Sequence, residues 1–154
     1  MLVPDPTRVR FAGPQDEDAI LALCRRDHAE RGIGQFAADK VRSVIRSSST
    51  LIGIAGGDDI EGTIGLVVET AWNSSTELLV CRWNFVRPEC RRSTHMRDMM
   101  AWAKELAKPS PDGIGVPLFA DAIATPRTEG QVRLYRRQLG EPVSVSWLFE
   151  GTAQ

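Results

Sequence analysis

The sequence predicts one α/β domain of the α+β kind: a mostly antiparallel sheet flanked by helices, with one parallel strand pair. Three observations carry that prediction. Segments of two-residue and 3.6-residue apolar periodicity alternate along all 154 residues. Two early strand patterns are joined by a short Gly- and Asp-rich turn, which makes them antiparallel neighbours. Two later ones are separated by a whole amphipathic helix, the connection a parallel pair requires. A chain of this length can bury a sizeable core as one unit, and no internal repeat or linker divides it.

Residues 8–12 open as a short strand. Pro14 and the acidic run Asp16, Glu17, Asp18 suit a helix start, because proline needs no amide partner there and carboxylates face the positive end of the dipole. Ala19, Ile20, Leu23 and Cys24 form the buried stripe of that helix, and Gly32 and Gly34 end it. Phe36, Val41, Val44 and Ile45 carry a second helix into the serine run 47–49. Residues 51–55 and 60–70 read as strands joined across Gly56, Gly57, Asp58 and Asp59. After a turn at Asn73, Ser74 and Ser75, residues 78–86 set Leu79, Cys81, Trp83 and Phe85 on one face and Leu78, Val80, Arg82, Asn84 and Val86 on the other. Pro88 stops this strand. Met96, Met99, Met100, Ala103, Leu106 and Ala107 then recur at helical spacing. Pro109, Pro111 and Gly113 close that helix, and residues 116–123 return as a strand parallel to 78–86. Thr128 and Gln131 make a capping-box pair ahead of Val132, Tyr135 and Leu139 in a last helix stopped by Gly140. Val143, Val145, Trp147 and Phe149 alternate in a closing strand.

Hydrophobic residues at 42% and charged residues at 25% are an ordinary globular mixture. Nineteen Lys plus Arg against 20 Asp plus Glu leave a net charge of -1, without the global pull of a nucleic-acid binder. An anion site therefore has to be local. No apolar run is long enough to span a bilayer, and Pro4 and Pro6 interrupt the stretch where a secretion signal would need an apolar core. The expectation is a cytoplasmic protein with neither a membrane nor a nucleic-acid partner. Cys24, Cys81 and Cys90 form no CxxC pair and are expected as reduced thiols. Cys24 and His28 with Cys90 and His95 could compose a zinc set, but the pairs lie far apart and Cys24 belongs to an apolar stripe, so no metal is expected. The four tryptophans fall mostly on apolar faces and read as core or interface.

The chemistry concentrates in WNFVRPECRRSTHMRDMM, where a strand runs through a short polar loop directly into a helix. The first-turn amides of a helix have no intrahelical partner and make a ready anion site. Arg91, Arg92 and Arg97 add positive charge there, and Ser93 and Thr94 add hydroxyls. Phosphate is the natural guest. Taken alone, the same pattern also fits solvated arginines ahead of a capped helix.

In the context of the whole element order, the chain resembles the GNAT superfamily of acyl-CoA-dependent N-acetyltransferases over residues 9–149. That family carries [Q/R]-x-x-G-x-[G/A] after its fourth strand. The equivalent run here is Arg91-Arg92-Ser93-Thr94-His95-Met96, with Thr94 and Met96 where the family prefers small residues. The resemblance implies that Arg91, Arg92, Ser93, Thr94, His95, Met96 and Arg97 hold the pyrophosphate of coenzyme A. It also implies that the fourth and fifth strands splay apart, and that the backbone of Asn84, Phe85 and Val86 pairs with the pantetheine arm. RTEGQVRLYRRQLG is similar to the family's tyrosine helix, which puts Tyr135, the single tyrosine of the chain, in the place of the acid that protonates the departing thiolate.

The function so implied is N-acetyl transfer from acetyl-CoA to a primary amine, by direct attack in a ternary complex. Glu77 and Glu69 are the candidate bases, either one through water. The acceptor is a small-molecule or peptide amine. The degenerate glycine motif leaves a second reading open, a non-catalytic acyl-CoA-binding or protein-interaction module on the same fold. One strand after the tyrosine helix, against the family's usual two, leaves a sheet edge unpaired, and a homodimer that covers it is expected.

Overall fold

The computed structural model describes residues 3–32, 34–111, 113–121 and 128–142. In chain order these form β1 (Val9–Phe11), α1 (Glu17–Arg31), α2 (Ala38–Arg46), β2 (Thr50–Ala55), β3 (Gly62–Thr70), β4 (Glu77–Val86), α3 (His95–Ala107), β5 (Leu118–Ala120) and α4 (Thr128–Leu139). The strands make one sheet in the order β1-β2-β3-β4-β5, antiparallel through β4 and parallel between β4 and β5. Every element expected within these residues is present. The closing strand over residues 143–149, and the dimer expected to cover that edge, lie outside the described residues.

Local chemistry explains the early elements. Asp16 accepts from the Gly13 amide at 2.8 Å and takes both ends of the Arg10 guanidinium at 2.8 and 2.9 Å, which pins β1 to the start of α1. Glu17 binds both Arg42 and Arg46 and so clasps α1 to α2. Gly56 holds φ +121 in the β2–β3 turn, a conformation that side chains disfavour. The stripe on α1 is shifted by comparison with the expectation: Ile20, Leu21, Leu23 and Cys24 are buried, while Ala19 is exposed.

Two clusters pack on the sheet. One gathers Leu66, Leu79, Cys81 and Val86 with Met99, Met100, Trp102 and Leu106 of α3 and Tyr135 of α4. The other gathers Ile52, Ile54 and Trp83 with Ile20 and Cys24 of α1 and the apolar positions of α2. Cys24, Cys81 and Cys90 are free thiols. Trp83 and Trp102 are core residues, but Trp72, in the β3–β4 turn, is 96% exposed and so, of its two expected roles, is not a core residue.

The expected alternation of β4 fails at its midpoint. Gly65 faces Trp83 while the next residue, Leu66, faces Cys81, so Arg82 is an extra residue with no opposite number. This is a β-bulge, and it inverts the phase of every side chain beyond it. Leu79 and Cys81 join the α3 cluster, whereas Trp83 joins the α1–α2 cluster. Val86, expected opposite to Leu79, shares its cluster instead. Gly65 is required by this arrangement: a Cβ there would lie 2.3 Å from the Trp83 ring.

Candidate functional site

The edge of β4 that faces β5 changes character at the bulge. Leu79, Val80 and Cys81 pair with Leu118, Phe119 and Ala120, and the Leu79 amide donates to the Pro117 carbonyl at 2.8 Å. From Arg82 to Val86 no residue of β5 pairs with the strand. The backbone of Asn84, Phe85 and Val86 therefore borders a seam with no strand partner among the described residues; residues 122–127, where the expected splay would show, lie outside them. The Val86 carbonyl accepts from Arg91 Nε at 3.1 Å.

Tyr135 meets the seam from α4. It is 9% exposed, and Gln131 Nε2 donates to its oxygen at 3.0 Å. The capping box expected from Thr128 and Gln131 lies outside the described residues, since the Thr128 side chain does; Gln131 Nε2 serves the tyrosine. Burial pushes the Tyr135 phenol up, with Cys81 adding to the effect, while the amides of Gln131 and Asn84 and the Arg31 guanidinium pull the other way. The phenol holds its proton at neutral pH. Burial also pushes the Cys81 thiol up to about 12, which removes it as a nucleophile.

Asn84 is 3% exposed beside Tyr135, and neither polar atom of its side chain has a hydrogen-bond partner among the described residues. Sequence reasoning missed this side chain and treated only its backbone. It also missed Asp27 and Arg31, an i,i+4 pair on α1 with hydrogen bonds of 2.5 and 3.0 Å and 14% side-chain exposure each. Arg31 acts electrostatically on both Tyr135 and Cys81. The spacing of that pair was visible in the sequence; its position beside the tyrosine depends on how α1 crosses the sheet.

At the other end of the seam, the amides of Thr94 and Met96 have no partner among the described residues, and that of His95 donates to Ser93 Oγ at 3.3 Å. The two large side chains in the glycine positions do not fill this cradle. Thr94 Oγ1 turns back to Asp98, donating to Oδ2 at 2.6 Å and accepting from Arg8 at 3.3 Å. Asp98 is fully buried and its other oxygen accepts the Asp5 amide at 2.8 Å. Met96 packs against the α3 core. Residues 5–8 thus brace the loop from beneath, a contribution from the N-terminal segment that the motif did not reveal.

The cations divide into two sets. Arg92 and Arg97 make no ion pair with a described residue, whereas Arg91 binds Glu30 at 2.6 and 2.7 Å and packs over the Phe85 ring. Arg91 ties α1 to the end of β4. His95 Nε2 pairs with Glu61 at 2.5 Å, and that hydrogen bond holds the Glu61 carboxyl below its usual range. Glu69 is bound to Arg82, and Glu77 is exposed at the first residue of β4. Neither carboxylate is brought to Tyr135; Glu77 lies seven residues before Asn84, roughly 20 Å along the strand. Among the described residues no group of three or more His, Cys, Asp and Glu side chains is placed to hold a metal ion.

No family model and no curated protein sequence matches the chain. Solved structures do match. The ribosomal-protein-alanine N-acetyltransferase from Brucella melitensis biovar Abortus 2308 superposes with a TM-score of 0.70 at 11% identity, over 92% of this chain and 98% of that one. A predicted acetyltransferase from Clostridium acetobutylicum, solved with acetyl-CoA, gives 0.68 at 14% identity over 92% and 93%. AAC(6')-Iy, in complex with a bisubstrate analogue of CoA and acetylneamine, gives 0.68 at 12% identity over 94% and 97%. Sheet order, the parallel β4–β5 pair, the flanking helices and these superpositions together give the chain the GNAT fold.

Proposed function

We propose that this protein is an N-acetyltransferase that moves the acetyl group of acetyl-CoA to a primary amine by direct attack. The observation that carries the reading is the edge of β4 beyond the bulge, which has no strand partner among the described residues and runs from a buried, protonated Tyr135 to amides at the start of α3 with no partner among them. A strand edge with no partner can hydrogen-bond an amide-bearing arm as a strand would, and a helix start with spare donors suits a pyrophosphate. Thr94, His95 and Met96 would contribute backbone amides, Ser93 its hydroxyl, and Arg92 and Arg97 charge. Arg91 would serve by holding the loop to Val86.

Acetyl-CoA supplies an activated acetyl group on a sulfur leaving group. As the amine nitrogen bonds to the acetyl carbon and the carbon–sulfur bond breaks, Tyr135 gives its proton to the sulfur and recovers one from solvent. A backbone amide of the open β4 segment polarises the carbonyl. The amine proton leaves to solvent; Glu77 and Glu69, on the far side of the bulge, could receive it only through an extended chain of waters, and Glu77 is the freer of the two, since Glu69 carries Arg82. The raised Cys81 thiol supports direct transfer over an acyl-cysteine route. Structures similar in fold carry aminoglycoside and ribosomal-protein substrates in their names, which supports an acceptor among small-molecule or peptide amines.

Calorimetric titration with acetyl-CoA, using adenosine 3',5'-bisphosphate as competitor, tests the reading. Micromolar binding, on the order of -8 kcal/mol, together with thiol release in the presence of an amine panel, is expected. Binding without turnover on any amine would leave a non-catalytic acyl-CoA-binding module. No binding in a folded sample would remove both.

A further inference from the structure

Asn84 is the one fully described buried side chain whose donor and acceptor are both left without a partner, at 3% exposure. Burying an amide in that state costs its hydration with no return, and native chains pair such groups unless something else is to meet them. A leucine has nearly the same shape and would fill the position without that cost. The bulge at Arg82 is what turns this side chain toward Tyr135 rather than toward α1. It therefore sits on the part of β4 that no described residue of β5 pairs, beside the only tyrosine of the chain.

The local hydrogen bonds fix which way the amide works. The Tyr135 oxygen already accepts from Gln131, so its own hydrogen is the one left to donate. Asn84, whose amide acts on the phenol and whose Oδ1 and Nδ2 are both without a partner, could take this hydrogen on Oδ1, and Nδ2 would then be the spare donor. That donor calls for an oxygen with no hydrogen of its own.

We propose that the side-chain amide of Asn84 is a ligand of the acyl thioester, with Nδ2 donating to the acyl carbonyl oxygen while Oδ1 holds the Tyr135 hydroxyl in place. The inference rests on the acetyltransferase reading above and adds to the backbone pairing of the strand a side-chain contact at the reacting group. With the acyl group bound, Asn84 thereby links the carbonyl that is attacked to the hydroxyl that protonates the sulfur.

The test uses Asn84→Leu, with Asn84→Ala as a second variant should leucine not fit. Calorimetry with acetyl-CoA and separately with adenosine 3',5'-bisphosphate is run on wild type and both variants. The expected result is acetyl-CoA binding weakened about tenfold, with bisphosphate affinity unchanged. The ligand-free Asn84→Leu protein should also melt higher, by roughly 2–4 °C, because an unpaired buried amide has been replaced by carbon; a purely structural asparagine would send the melting temperature down. Unchanged acetyl-CoA affinity in both variants, or a parallel loss of bisphosphate affinity, overturns the proposal. Failure of wild type itself to bind acetyl-CoA would instead overturn the acetyltransferase reading and this inference with it.

Discussion

The two halves of β4 are built to different ends. Before the bulge, Leu79 and Cys81 lie between β3 and β5, buried, apolar and hydrogen-bonded on both edges. After it, Asn84 and Val86 are equally buried but border an edge with no strand partner among the described residues, and one of them carries an unsatisfied amide. Burial alone therefore does not distinguish structure from site. What distinguishes them is whether the buried polar groups are paired, and a single inserted residue, Arg82, marks the change.

If that division is correct, substitutions after the bulge and on the helix facing it should cost activity, and those before it should cost stability. The largest expected effect is on activity. Tyr135→Phe keeps the ring in the α3 cluster and removes only the hydroxyl, so turnover should fall by about 10²–10⁴, while acetyl-CoA affinity and melting temperature stay near wild type. Steady-state kinetics beside calorimetry measures both, and an unchanged turnover would take Tyr135 out of the acid role.

Leu79→Ala is the counterpart before the bulge. Leu79 is fully buried against α3, and truncation should cost about 2–5 kcal/mol of unfolding free energy. Any folded fraction should retain wild-type affinity for acetyl-CoA. A loss of affinity in excess of the unfolded fraction, measured in denaturant titrations, would mean that the two halves are not separable.

The bulge itself can be attacked at Gly65. A Cβ there meets the Trp83 ring at 2.3 Å, so Gly65→Ala should cost about 1–3 kcal/mol, and it should weaken acetyl-CoA binding too, because displacing Trp83 displaces Asn84. Trp83→Phe, which removes the clashing ring atoms, should recover part of both losses in the double variant. Purely additive effects would show that Trp83 does not seat the bulge.

These halves were not equally legible in the sequence. The order of strands and helices was, because apolar periodicity, the turn over residues 56–59 and the crossover through Met96–Ala107 spacing are all local signals. The α3 loop was legible in its charge but not in its geometry. Thr94 and Met96 looked obstructive because nothing in the sequence shows Thr94 turned onto Asp98 or Met96 turned into the core. The faces of β4 were misread beyond Cys81 because a bulge leaves the strand's composition unchanged: Trp83 and Phe85 continue an apparent alternation whose phase has already flipped. Asn84 consequently read as a polar residue opposite the Leu79 face, when it shares that face with Tyr135.

The smallest expected effect lies away from β4 and separates the scaffold from the site by pH. Glu17, between Arg42 and Arg46, has its carboxyl lowered from 4.5 to about 2, the Arg46 hydrogen bond contributing most. A folded-state value below the unfolded one means stabilisation that is complete above pH 4.5 and lost as pH falls toward 2. Glu17→Gln should therefore melt slightly below wild type at pH 6, and the gap should close by pH 2. Melting curves of the two proteins across that range isolate this one group from the other carboxylates lowered by arginine, Asp16 and Glu89, because those titrate alike in both. A gap that persists at pH 2 would assign the effect of Glu17 to packing between α1 and α2 rather than to charge.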